Sequence, residues 1–115
     1  MKDYNGEIEY RGTKYKLIFN FNVMGAIQEE YGSISKWGEL SDGVDGEPNA
    51  KAVIFGFTQM LNEGIDIENE ENGTDIKHLT LKQVGRMITE YGFNNATAIL
   101  NETVIESTKS EEKNV

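Results

Sequence analysis

AKAVIFGFTQMLNEG, residues Ala50 to Gly64, is the most apolar run in the chain, and its reading decides the fold. At about 100° per residue, Ala50, Val53, Ile54, Phe57, Met60 and Leu61 share one side, a stripe wide enough to face a core. Lys51, Thr58, Gln59 and Asn62 point the other way. The run therefore reads as a central helix. Phe55 breaks the pattern, because it lands among the polar residues. Either the helix is buried all round, or Phe55 offers an exposed aromatic to another molecule.

Upstream of this helix, EIEYRGTKYKLIFNF alternates with period two. Ile8 and Tyr10 face one way, Glu7 and Glu9 the other. After Arg11-Gly12, Tyr15, Leu17, Phe19 and Phe21 face one way, and Lys14, Lys16 and Ile18 the other. This predicts a β-hairpin with one buried face. A loop of two or four residues keeps the parity and sets glutamates opposite lysines. Such a hairpin is only marginally stable alone, so its dry face must lie on helices. Asn20 or Asn22 can cap a helix through Tyr31, with Val23, Met24, Ile27 and Tyr31 inward and Gly32 as its terminator. Ser35 then caps a short turn, KWGEL. Trp37, with Ile34 and Leu40, reads as a lid on the core or as an exposed anchor for a partner. SDGVDGEPN, Ser41 to Asn49, is loop by composition, with Pro48 at the first turn of the central helix.

Downstream, Gly64 reads as the end of that helix. IDIENEENGTDIK, Ile65 to Lys77, then reads as a mobile acidic connection. Thr80 and Gln83 spell a capping box, and Leu79 and Val84 its hydrophobic staple. The helix they open puts Leu81, Val84, Ile88 and Tyr91 on one side and stops at Gly92. A last helix runs from Asn94 or Asn95 to about Ser107, with Ala96, Ile99, Leu100 and Thr103 inward and Ile105 facing away. The fold class is α+β, mostly α: an N-terminal β-hairpin packed on a small bundle of three to four helices. Residues 1–107 form a single domain by this reading, and residues 108–115 a disordered polar tail.

Composition narrows the function. The chain has 115 residues, one domain by length. It has no cysteine, which removes disulfides and thiolate metal sites. MKDYNGEIEYRG lacks the apolar core of a signal peptide, and no run approaches the ~20 apolar residues that span a bilayer. A soluble intracellular protein is expected. Twenty acidic against 11 basic residues give a net charge of −9, which argues against binding phosphate backbones.

No chemical set emerges. His78 is the only histidine and has no orienting partner or nucleophile in the sequence pattern. Glu68, Glu70, Asn72 and Gly73 mimic the start of an EF-hand loop, but its decisive bidentate Glu is replaced by Leu79. Gly38, Gly43 and Gly46 do not spell a phosphate loop. No catalytic residue, metal or cofactor is expected, and protein binding is left. The helical wheel nominates Trp37, Phe55, Met60 and Ile105 as contact residues.

The order of segments resembles a known family. YRGTKYKLIFNFNVMGAIQEEYG (Tyr10 to Gly32), AVIFGFTQMLNEG and LTLKQVGRMITEYG (Leu79 to Gly92) resemble the tail assembly chaperones of long-tailed bacteriophages and related prophages, particularly those of Gram-positive hosts. In that family a short β element runs into a helix ending in Tyr/Thr-Gly. A central apolar helix follows, then a helix opened by a Leu-Thr cap. The resemblance implies a non-enzymatic chaperone that binds the tape measure protein and helps recruit tail tube subunits. It would act in the cytoplasm of the bacterial host and be absent from the mature virion. The tail tube protein and a frameshifted longer form of the chain itself are further candidate partners, and self-association is left open. Glu112-Lys113-Asn114 can be encoded by an A-rich run that would permit slippage. The alternative is a structural phage tail or head-tail component retained in the virion.

Overall fold

The computed structural model describes the backbone of residues 5–43 and 46–113, and the side chains of residues 6–43 and 46–107. Strands β1 (Asn5–Tyr10) and β2 (Thr13–Ile18) form an antiparallel hairpin. Helices α1 (Phe21–Tyr31), α2 (Ile34–Asp42), α3 (Ala50–Asn72), α4 (Leu81–Tyr91) and α5 (Phe93–Lys113) follow. The class is α+β and mostly α, as the alternation followed by helical periodicity predicts. The bundle has five helices among the described residues, where three to four were expected.

Arg11 (φ 50°) and Gly12 (φ 83°) form a two-residue turn, both in the left-handed region that tight hairpins demand. The register sets Glu7 opposite Lys16 and Glu9 opposite Lys14. Ile8 and Leu17 are buried on the other face. Ile18 departs from the expected pattern. It lies on the glutamate–lysine face yet is buried, because it shares a cleft with Leu61 and Ile65 of α3. Phe21 departs the other way. The strand stops at Ile18 and Asn20 caps α1, its Oδ1 accepting from the Val23 N–H at 3.2 Å. Phe21 thus becomes the first helical residue and is 72% exposed.

Ser33 rather than Ser35 caps α2, accepting from the Lys36 N–H at 3.0 Å. This helix runs to Asp42, into the stretch composition predicts as loop, and Gly43 closes it in a left-handed conformation. Asn49 caps α3 through the Ala52 N–H at 3.0 Å, so Pro48 stands just outside the helix rather than at its first position. The predicted stripe is buried at Val53, Phe57, Met60 and Leu61. Ala50 is exposed instead, and Thr58 is buried with its hydroxyl donating to the Ile54 carbonyl at 2.7 Å.

The main correction concerns Gly64. It does not end α3, which continues to Asn72 and stops at Gly73 (φ 65°). A Cβ on Gly64 would sit 2.7 Å from the Lys16 carbonyl oxygen, so this glycine is where β2 lies against the helix backbone. Beyond it, Ile65 is buried and Glu68, Glu70 and Glu71 are exposed, a continuing amphipathic pattern.

The connection between α3 and α4, residues 73–80, keeps only residues 73–77 of the expected acidic stretch and is strapped to α3 by side chains. Asn62 donates to the Leu79 carbonyl at 3.0 Å and accepts from the Leu79 N–H at 2.8 Å. Asn69 does the same for Ile76, at 3.0 and 2.9 Å. Between them Asp66 meets His78 Nε2 at 2.7 Å. Residues 62, 66 and 69 fall on one face of a helix, so the strap runs along that face.

The Thr80–Gln83 capping box opens α4, with hydrogen bonds of 3.1 and 2.8 Å. Val84, Met87 and Ile88 are buried, while Leu81, expected inward, is 53% exposed. Ala96, Leu100 and Thr103 of α5 are buried as predicted. Residues 93–113 contain no glycine or proline to stop the helix. The backbone stays helical to Lys113, past Ser107 where a disordered tail is expected; residues 114–115 of that tail lie outside the described residues.

Candidate functional site

The four nominated contact residues are not one patch. Met60 is fully buried in the core. Trp37 is 3% exposed, and its indole N–H donates to the Ala52 carbonyl at 2.9 Å. The ring lies on Gly56, where any Cβ would collide with Cζ2. Trp37 is thus keyed into α3 and is the lid rather than a free anchor. Phe55 is partly buried, with its ring edge-on to Tyr31 of α1 at 5.6 Å between centroids. Tyr31 of α1 lies against it. Burial, and then the charge of Glu30, holds the Tyr31 phenol above its ordinary pKa. Ile105 alone is openly exposed, at 53%.

Trp37 and Ile105 do meet at one place. A cleft of about 380 Å³ runs between α2 and α5. Ile34, Trp37, Val104 and Ile105 supply its apolar lining, with Asp42 and Asn101 among its polar residues. Local rules set these positions. The Ser33 cap fixes where α2 starts, which places Ile34 and Trp37 one turn apart. On α5, burial of Leu100 and Thr103 turns Ile105 outward. Trp37 contributes only a nearly enclosed ring edge, so the accessible apolar surface comes from the isoleucines and Val104. The arrangement can bury an apolar side chain from another molecule, and it contains no nucleophile–base pair.

A second groove, about 350 Å³, lies between β2 and the extended part of α3. Ile18, Leu61 and Ile65 are its buried apolar residues, with Ile67 and Ile76 also lining it. Reading residues 65–77 as a loop hides this groove. The signal that could have revealed it is the spacing of Leu61, Ile65 and Glu68, which continues the helical period across Gly64.

His78 sits in a shallow polar site with Asn22, Gln59, Asn62, Glu63 and Asp66. None of these is a hydroxyl or thiol nucleophile, and the His78–Asp66 contact serves the strap. Among the described residues no group of three or more His, Asp or Glu side chains could hold a metal ion. No described helix is long and apolar enough to cross a membrane. No protein family, no curated protein and no solved structure was found to match the chain.

Proposed function

We propose that this chain is a non-enzymatic tail assembly chaperone that binds a phage tape measure protein through the cleft between α2 and α5. The observation that carries the reading is that cleft: Ile34, Val104 and the exposed Ile105 form apolar walls on a chain of net charge −9. A long helical client with apolar stripes gains burial by laying a stripe into such a cleft. The net charge of −9 keeps the pair from aggregating. The resemblance of the hairpin–α1, α3 and α4 segments to tail assembly chaperones supports the same assignment. Recruitment of tail tube subunits and departure before the virion is complete belong to the proposal.

Co-expression with the tape measure protein tests it. The chain should co-purify with the client and raise its soluble yield, and Ile105→Glu should abolish both effects while folding normally. Purified virions should lack the chain by mass spectrometry. A stoichiometric band in the virion would instead assign it to the tail or head-tail structure.

A further inference from the structure

We propose that the outer edge of β1 is a docking edge for a basic, extended segment of a protein partner, which joins the hairpin as a third strand. The inference rests on the hairpin geometry and not on the tape measure reading.

A two-residue turn closes on a hydrogen-bonded pair, here Tyr10 and Thr13. Alternation then makes Ile8–Tyr15 and Gly6–Leu17 the other inward-bonded pairs. The backbone N–H and C=O groups of Glu7 and Glu9 point outward from β1, and those of Lys14 and Lys16 point outward from β2. The β2 edge is covered, because the outward carbonyl of Lys16 lies against α3 at Gly64. Among the described residues the β1 edge has no such cover. Glu7 and Glu9 are exposed, and among the described residues no backbone bond from outside the hairpin reaches them. Helix α5 lies under the face of β1 rather than along its edge: a Cβ on Gly6, which projects from the face, would meet the Thr103 hydroxyl and the Ile99 side chain.

Charge selects the occupant. Within the hairpin, Lys16 already stands opposite Glu7 and Lys14 opposite Glu9. A strand added on the other side of β1 with lysine or arginine at alternate positions repeats that pairing and places the glutamates between two rows of cations. A second copy of this chain does not fit. Antiparallel pairing of two β1 strands centred on Ile8 sets Glu7 against the copy's Glu9, and the net charge of −9 opposes the approach. Edge glutamates thus repel self-pairing and admit a basic strand.

The test is residue-resolved amide exchange on the full chain, alone and with end-capped peptides KTKVKTK and ETEVETE. In the free protein the Glu7 and Glu9 amides should exchange quickly and those of Ile8 and Tyr10 slowly. Saturation with KTKVKTK should slow Glu7 and Glu9 by at least about tenfold, as new backbone bonds form. ETEVETE should have no effect. The double variant Glu7→Gln, Glu9→Gln should bind KTKVKTK about fivefold more weakly, as expected for two exposed charge pairs. Slow exchange of Glu7 and Glu9 in the free protein overturns the proposal, and if that protection rises with protein concentration the occupant is a second copy. Absence of binding at millimolar peptide, equal binding of the acidic peptide, or binding without protection of those two amides overturns it as well.

Discussion

Gly64→Ala tests whether β2 is seated on the backbone of α3 at Gly64. In an open helical position, alanine for glycine stabilises by about 1 kcal/mol through backbone entropy. Gly25 of α1 is such a position, with nothing within 4 Å of its added Cβ. At Gly64 the added carbon falls 2.7 Å from the Lys16 carbonyl oxygen and 3.5 Å from the Lys16 Cβ. A backbone carbonyl cannot rotate aside as a side chain can, so β2 must shift off the helix. Displacements of that kind cost about 1–3 kcal/mol. The net effect is a loss of about 1 kcal/mol, opposite in sign to Gly25→Ala. In urea unfolding the Gly64→Ala midpoint should drop by roughly 0.5–1 M, while that of Gly25→Ala rises by a similar amount. If Gly64→Ala stabilises the protein as Gly25→Ala does, β2 is not seated on α3 there and the second groove loses its basis.

Trp37→Phe removes both the bond to the Ala52 carbonyl and the indole atoms that lie on Gly56; it should lower stability by at least about 1 kcal/mol in the same urea assay. Asn62→Ala removes both clasps on Leu79, and exchange of the amides in residues 74–80 should accelerate at least tenfold while the core of α3 is unchanged. The Tyr31 pKa is raised by burial and by Glu30, so the folded state favours the neutral phenol. That contribution is fully present below the unfolded value near 10.0 and is lost as pH rises through the folded value. Tyr31→Phe should therefore flatten the alkaline loss of stability measured by urea unfolding between pH 9 and 11.

The parts of the fold legible in the sequence are those decided within a few residues. The Thr80–Gln83 box closes on itself over three residues, and the Arg11-Gly12 turn fixes the hairpin register without help from the bundle. What was not legible depends on distant partners. Gly64 looks like a helix stop because glycine usually is one; its reason, the approach of Lys16, lies 48 residues upstream. Asn62 and Asn69 look like solvated polar residues until the strap they hold is in place. The helical wheel identified an apolar side for α3 but could not say that α1 would cover Phe55 or that Gly56 would admit Trp37. Of the four nominated contacts, Ile105 is exposed because α5 buries only its opposite side, while Met60 belongs to the core.

Hydrogen exchange of the full chain, with and without the tape measure protein, tests the central claim most directly. Complex formation should slow exchange in α2 and in residues 99–107, an effect lost in Ile105→Glu. A complex that leaves both segments unchanged, or no complex at all, would contradict it.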